Sequence, residues 1–169
     1  ESVWWLVKKA EEQGRLYEGE RTMSWCPYHG TALAKHECEY KEIEDQSIFV
    51  KFKIKGKDNE YLTIWTTTPW TIAFNLAVMV NPELEYIKAK VDDEVLIIAK
   101  DLADDVLTEK LGKKYSILEE MKGEELMGLE YIHPWENEIK DFEKLKKVHS
   151  RVHTIVLSKE HVNLEAGTG

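Results

Sequence analysis

Apolar and polar residues alternate along residues 48–55: Ile48, Val50, Phe52 and Ile54 on one side, Phe49, Lys51, Lys53 and Lys55 on the other. A period of two predicts a half-buried strand. Lys55-Gly56-Lys57-Asp58-Asn59 has the composition of a hairpin turn. It leads into a second alternating run, Leu62, Ile64 and Thr66 against Thr63, Trp65 and Thr67, whose β-branched and aromatic residues suit the pleat. That run stops at Pro69. Thr68 precedes a proline and is biased toward extended backbone; it is also a good N-cap, and proline suits the first helical position. The pattern therefore predicts a strand passing into a short helical turn. Further on it predicts a buried strand at 76–80, a turn at Asn81-Pro82-Glu83, and a hairpin of 86–91 with 95–99 about Asp92-Asp93. A helix at 101–111 follows, with Leu102, Val106 and Leu107 on one face and Gly112 past its end. Residues 115–118, 153–157 and 162–164 read as short strands, and 137–148 as a peripheral helix. His133-Pro134-Trp135 reads as a turn, and 121–129, with two glycines, fits no element. Near the start, 3–13 reads as an amphipathic helix with Trp4, Trp5, Leu6 and Ala10 on its apolar side, Ser2 as cap and Gly14 as stop. A short strand or extended segment follows through Leu16, Tyr17 and Met23.

Several short strands in hairpins with few helices indicate a mixed α/β domain, mainly β, built on a closed or curled sheet with peripheral helices. The turn-rich first 45 residues read as a helical and turn appendage, so the predicted division is 1–45 and 46–169. A chain of 169 residues is long enough for one sizeable core with an appendage. The net charge of −9 excludes a global basic field that would draw in nucleic acid, so any such contact must be local. No apolar run is long enough for a membrane span and no leader is visible, so no membrane partner is expected. Two cysteines make no disulfide framework, and the chain reads as cytoplasmic. Abundant lysine and glutamate lean toward a thermophilic source.

Two stretches carry candidate chemistry. Thr66, Thr67, Thr68 and Thr71 would cluster hydroxyls and backbone N–H groups at the strand-to-turn junction. Such a cluster suits a carboxyl ester, an amino-acid backbone or a phosphate; the same threonines also serve simply as strand formers and a cap. Cys26-Pro27-Tyr28-His29 has a spacing that supplies two zinc ligands, and also reads as a proline turn with a half-buried cysteine. His36 and Cys38 do not complete a standard four-ligand pattern with it. The lysine face of residues 48–55 suits either phosphates or plain solvation.

Trp65-Thr66-Thr67-Thr68-Pro69-Trp70-Thr71, followed by Asn75, Ala77-Val78 and Asn81-Pro82-Glu83, resembles the editing insertion of isoleucyl-tRNA synthetases. Glu1-Ser2-Val3-Trp4-Trp5, Trp25-Cys26-Pro27 and Leu164-Glu165-Ala166-Gly167-Thr168-Gly169 match in the same order. The valyl and leucyl relatives carry an Arg-Pro-Asp/Glu core where this chain has Thr68-Pro69-Trp70, which makes a valyl or leucyl editing domain the less similar alternative.

The resemblance implies an editing-domain β-barrel and a hydrolytic proofreading site. Isoleucine and valine differ by one methylene, the long-used worked case of limited discrimination, worth about 1–3 kcal/mol in an apolar pocket. A second, smaller pocket would admit valine esterified to the 3′ acceptor end of tRNA(Ile) and hydrolyse the ester. By resemblance, Thr66, Thr67 and Thr68 are the catalytic candidates, with Thr67 and Thr68 touching the misacylated end. Trp65, Trp70 and Phe74 would wall the pocket, Asn75 would donate an amide hydrogen, and Gly167, Thr168 and Gly169 would also line the substrate. Cys26 and His29 would be half of a zinc site completed elsewhere in the full protein. The parent enzyme would join isoleucine to tRNA using ATP and magnesium on its catalytic domain, which is the other expected partner. The signatures of that activity, a His-x-x-His-like motif and a Lys-Met-Ser-Lys-Ser loop, are absent here, and no cofactor is expected in this chain itself. The resemblance also implies a histidine and an aspartate beyond the Gly-Thr-Gly. His153 and His161 lie before it, and Asp101 and Asp104 lie on the predicted helix, so none of these takes their place. Weak or no hydrolysis is expected from this chain alone, since a buried unpaired ammonium is costly. The non-catalytic alternative is a module that binds the acceptor end or props the synthetase.

Overall fold

A computed structural model describes residues 1–44 and 46–163 and divides the chain into two units, Glu1–Glu44 and Asp45–Gly169. In the first unit, helix α1 (Ser2–Glu12) ends at Gly14, whose φ of +67° is the left-handed stop the sequence predicts. Ser2 is its first helical residue rather than its cap, which is Glu1. Strands β1 (Ser24–Cys26) and β2 (Thr31–Leu33) form a hairpin around Pro27-Tyr28-His29-Gly30. Residues 15–23 form no strand, the first of the two alternatives the sequence left open.

The second unit is built on two sheets joined at one bridge. Six strands lie in the order β8-β6-β7-β4-β3-β9: β3 is Ile48–Ile54, β4 Glu60–Thr66, β6 Glu85–Val91, β7 Glu94–Ala99, β8 Ser116–Lys122 and β9 Tyr131–Ile132. The other sheet pairs β5 (Ala77–Val80) in parallel with β10 (Thr154–Leu157). A bridge between Glu130 and Thr154 passes the ladder from β9 to β10, and Ile155 N–H donates to Leu129 O at 2.9 Å. The sheet is thus curled, and its far ends meet where Gly123, just past β8, lies against Asn81, just past β5. A Cβ built on Gly123 would sit 2.0 Å from Asn81 O and 2.9 Å from the Tyr86 ring. That last seam is a side-on backbone contact rather than a ladder.

The alternation of β3 places Phe52 and Ile54 in the core and Lys51 and Lys53 in solvent. Strand β4 departs from simple alternation, with Leu62, Thr63 and Ile64 all buried, because it is central and covered on both faces. Leu62 and Ile64 join Val78, Val80, Tyr86, Ile97 and Ile155 inside the curl. On the outer face, Ile87, Ala89, Val91, Leu96 and Ile98 pack under Ala103, Val106 and Leu107. These last three come from the predicted helix, which is α-helical over Lys100–Ala103 (α2) and π-helical over Asp104–Lys110 before Gly112 turns it off.

Residues 121–129, unassigned from the sequence, continue β8 to Lys122 and then form a 3-10 turn, Gly123–Leu126. Helix α3 (Asp141–Val148) is anchored rather than peripheral, since Phe142 is buried. Residues 162 and 163 form no strand; Leu164 and the Gly167, Thr168 and Gly169 candidates lie outside the described residues. No helix is long and apolar enough to cross a membrane among the described residues.

The Gly123 seam leaves no room for a side chain. Gly123→Ala is expected to lower the unfolding free energy by about 1–3 kcal/mol through overpacking, read from urea unfolding midpoints. An unchanged midpoint would mean that the ends of the curl are not held together there.

Candidate functional site

The threonine run sits where β4 leaves the sheet. Thr68 is the cap of a 3-10 turn, Pro69–Phe74, with proline in its first positions, as the sequence predicts. The hydroxyls form a connected set. Thr66 Oγ1 accepts the Thr68 N–H at 3.0 Å and lies 3.4 Å from Thr68 Oγ1. Thr68 Oγ1 lies 3.3 Å from Thr71 Oγ1, and Thr71 Oγ1 donates to Thr68 O at 2.7 Å. A hydroxyl has one hydrogen and two lone pairs. With Thr71's hydrogen spent on Thr68 O, the pair closes only if Thr68 donates to Thr71, and Thr66 then donates to Thr68. Thr68 Oγ1 keeps one lone pair for an incoming donor. Thr67 is exposed beside this set.

The predicted wall residues divide between two environments. Thr66 follows Leu62 and Ile64 on the inner side of β4, and side chains alternate across a strand, so Trp65 projects to the opposite face. Trp65 is half-buried there, in register with Phe49. Trp70 and Phe74 are 70% and 80% exposed. One Nδ2 hydrogen of Asn75 goes to Ala77 O at 2.9 Å, and its Oδ1 accepts the Tyr131 hydroxyl; an amide nitrogen carries two hydrogens, so these bonds leave its predicted donor role open. Asn75 acts as a brace between the turn, β5 and β9.

Sequence reasoning missed what lies under the turn. His133 Nε2 is 2.8 Å from Ile72 O, and its Nδ1 accepts the Trp135 N–H at 3.0 Å. His133 stacks on His153 with ring centroids 5.1 Å apart, and Phe142 meets both rings at 4.6 Å. The signal was present in the period of two that puts Tyr131 and His133 on one side of an extended segment.

His153 is buried at φ +60°, and its ring nitrogens make no hydrogen bond; Glu136 Oε2 stands 3.6 Å from Nδ1. Burial pushes its pKa below the ordinary value, helped by Lys146 and His133 and opposed by Glu136. Burial pushes Glu136 up, but the Lys146 ion pair outweighs it and holds this carboxyl below its usual range. Burial raises the Tyr131 phenol.

In the first unit, Cys26 Sγ and His29 Nδ1 are 3.3 Å apart across their turn, near the ~3.5 Å that tetrahedral zinc bonding to sulfur and nitrogen would set. Two donors are half a ligand set. Among the described residues no group of three or more His, Cys, Asp or Glu side chains is placed to hold a metal. A cleft of about 750 Å³ opens on the helix side of the second unit, lined by residues including Phe49, Thr63, Leu96, Val106 and Lys110 and by none of the predicted site residues.

Comparison with known proteins then decides the family. The chain matches tRNA synthetases class I (I, L, M and V) over residues 1–155. This chain belongs to that family. It is 49% identical to the isoleucine–tRNA ligase of Pyrococcus horikoshii over 175 residues, covering 100% of the chain. It is 45% identical to the isoleucine–tRNA ligase of Sulfolobus acidocaldarius, over 98% of the chain. The chain spans 16% of the length of each of these relatives, so this class I synthetase sequence is a fragment by comparison. The solved structure described as the crystal structure of GlLeuRS-CP1 superposes with a TM-score of 0.54 at 15% identity, covering 73% of this chain and 51% of that one. That likeness establishes a shared fold.

The buried imidazole gives the synthetase fragment a pH signature. Below about pH 6.5 the unfolded chain takes up a proton at residue 153 that the folded chain refuses, so stability falls as pH falls through that window. The depressed Glu136 carboxyl acts only at lower pH, since its contribution holds above its unfolded value and is lost as pH falls through its folded one. The thermal midpoint is expected to drop between about pH 7 and pH 5, and His153→Asn, which tolerates the left-handed backbone, is expected to reduce that drop. Equal pH slopes in the two proteins would rule out His153 as the cause.

Proposed function

We propose that this chain is part of the hydrolytic editing site of an isoleucine–tRNA ligase, clearing valine esterified to the 3′ end of tRNA(Ile). The observation that carries the reading is the hydroxyl relay Thr66–Thr68–Thr71 on the turn that ends β4. It sits in a chain that matches isoleucine–tRNA ligases end to end and shares the fold of a structure named for CP1. Ester hydrolysis needs a water held at attack distance and donors for the oxygen that gains charge. The free lone pair of Thr68 Oγ1 accepts a hydrogen from that water or from the terminal ribose, and exposed Thr67 lies next to the same position. The parent ligase would bring the tRNA, ATP and magnesium to its catalytic domain. Cys26 and His29 would supply two of four ligands to a structural zinc whose other ligands lie outside the described residues.

The full-length ligase tests this. Thr68→Val keeps the shape and removes the hydroxyl. Deacylation of Val-tRNA(Ile) is expected to fall about tenfold or more, with mischarged tRNA accumulating during aminoacylation. A module that only props the synthetase or binds the acceptor end predicts unchanged deacylation, with at most a lower melting temperature, and that result would set the editing reading aside.

A further inference from the structure

The buried polar groups beneath the turn bear on the same site, and the role assigned to them rests on the editing reading. Because His133 Nδ1 accepts the Trp135 N–H, the ring hydrogen sits on Nε2 and is donated to Ile72 O. That carbonyl also accepts the Asn75 N–H at 2.9 Å, the bond that closes the 3-10 turn. The imidazole is 1% exposed and boxed by Phe52, Phe142, Trp135 and His153, so one ring orientation is available to it. The turn it grips is weakly held by itself. It has six residues and 3-10 geometry, and Ile72 is its one buried side chain, while Trp70, Thr71 and Phe74 are exposed. A filler of the core needs only an apolar ring. An imidazole with both nitrogens engaged adds direction, and the direction here ends on the residue next to Thr71.

We propose that His133 is a positioning residue for the editing hydroxyls. By donating to Ile72 O it fixes the turn, and through Thr71 Oγ1 it fixes the lone pair that Thr68 presents. Tyr131, bonded to Asn75 Oδ1, is the second point of the same clamp. His133 touches no substrate; its effect passes through the backbone.

A matched pair of variants separates this role from core filling. In His133→Gln the side-chain amide nitrogen reaches the position of Nε2 and keeps the bond to Ile72 O. In His133→Asn it reaches only the position of Nδ1, and that bond is lost. Both put an amide in the same box and each keeps one of the two bonds, glutamine that to Ile72 O and asparagine that from the Trp135 N–H, so both lower stability. In the full-length ligase, assayed below both melting temperatures, His133→Gln is expected to keep the kcat of Val-tRNA(Ile) deacylation within about threefold, and His133→Asn to lose about tenfold or more, with KM little changed in either. Hydrogen exchange in the same enzyme gives an independent readout. Peptides covering residues 70–75 are expected to exchange about tenfold faster in the asparagine variant and not in the glutamine one. Equal kcat in the two variants, a loss confined to KM, or unchanged exchange in the asparagine variant would overturn the proposal. Deacylation absent from the wild-type ligase would overturn the editing reading itself. Deacylation that responds to Thr68→Val but not to this pair would leave the editing reading standing and overturn the clamp alone.

Discussion

One extended segment, Tyr131 to His133, sends two hydrogen bonds, one buried and one part-buried, into the turn that follows β4, and the placement of the threonine run depends on them. Buried polar groups are tolerated only when paired, and an unpaired donor costs about 1–3 kcal/mol. Both donors here find acceptors more than fifty positions away in sequence. The bonds therefore require β9 to keep its register against β3, with Lys53 opposite Ile132 and Ile54 opposite Tyr131. A slip of one residue would turn Tyr131 and His133 to the other face and leave Asn75 and Ile72 without their partners. The short strand β9 is held by these side chains in addition to its own ladder.

The curl of the sheet has a complementary cause. Strand β4 runs antiparallel to β3 and parallel to β7, and both its faces are covered, so it has no solvent side on which to relax. The chain leaves it at Pro69, which lacks the N–H to continue a ladder. The chain then crosses to β5, which pairs with β10 rather than rejoining the first sheet. The space between β5 and β8 is closed only because Gly123 brings backbone against backbone at Asn81. The hydroxyl turn thus lies just beyond the end of a strand locked on both faces, while its own surface remains open.

Much of this was legible in the sequence wherever local chemistry and tertiary context agree. The strand-to-turn junction follows from Thr68-Pro69, the hairpins from Gly56, Asn59 and Asp92 at positive φ, and the mainly β curled architecture from the run of short strands. The different surroundings of the wall residues were not legible because a seven-residue motif written in a line suggests one lining, whereas the pleat sends Trp65 away from Thr66 and the turn exposes Trp70 and Phe74. The stacking of the two histidines was not legible for a different reason. The period of two places His133 on the side of Tyr131, but nothing marks His153 at a strand start as its partner, and what covers both is Phe142, from a helix whose charge pattern suggested the periphery. No local signal predicts a stack between residues twenty positions apart.

On the editing reading, this division of labour has a physical rationale. One methylene yields about 1–3 kcal/mol of discrimination, while displacing a reacting group by an ångström can cost about a hundredfold in rate. An oxygen carried on a six-residue 3-10 turn has little intrinsic rigidity, so its position must be imposed from outside the turn. The imposed contacts are directional ones, an imidazole and a phenol, because apolar packing alone tolerates small sliding and a hydrogen bond does not. Ile72 alone would hold the turn to the core; Ile72 with its carbonyl held by His133 holds it at one orientation. Of the rings expected to gauge the amino-acid side chain, Trp65 lies across the strand from Thr66 while Trp70 and Phe74 stand exposed on the turn. On that reading this part of the chain would orient the reacting groups, and the contacts that fix the turn lie beneath it.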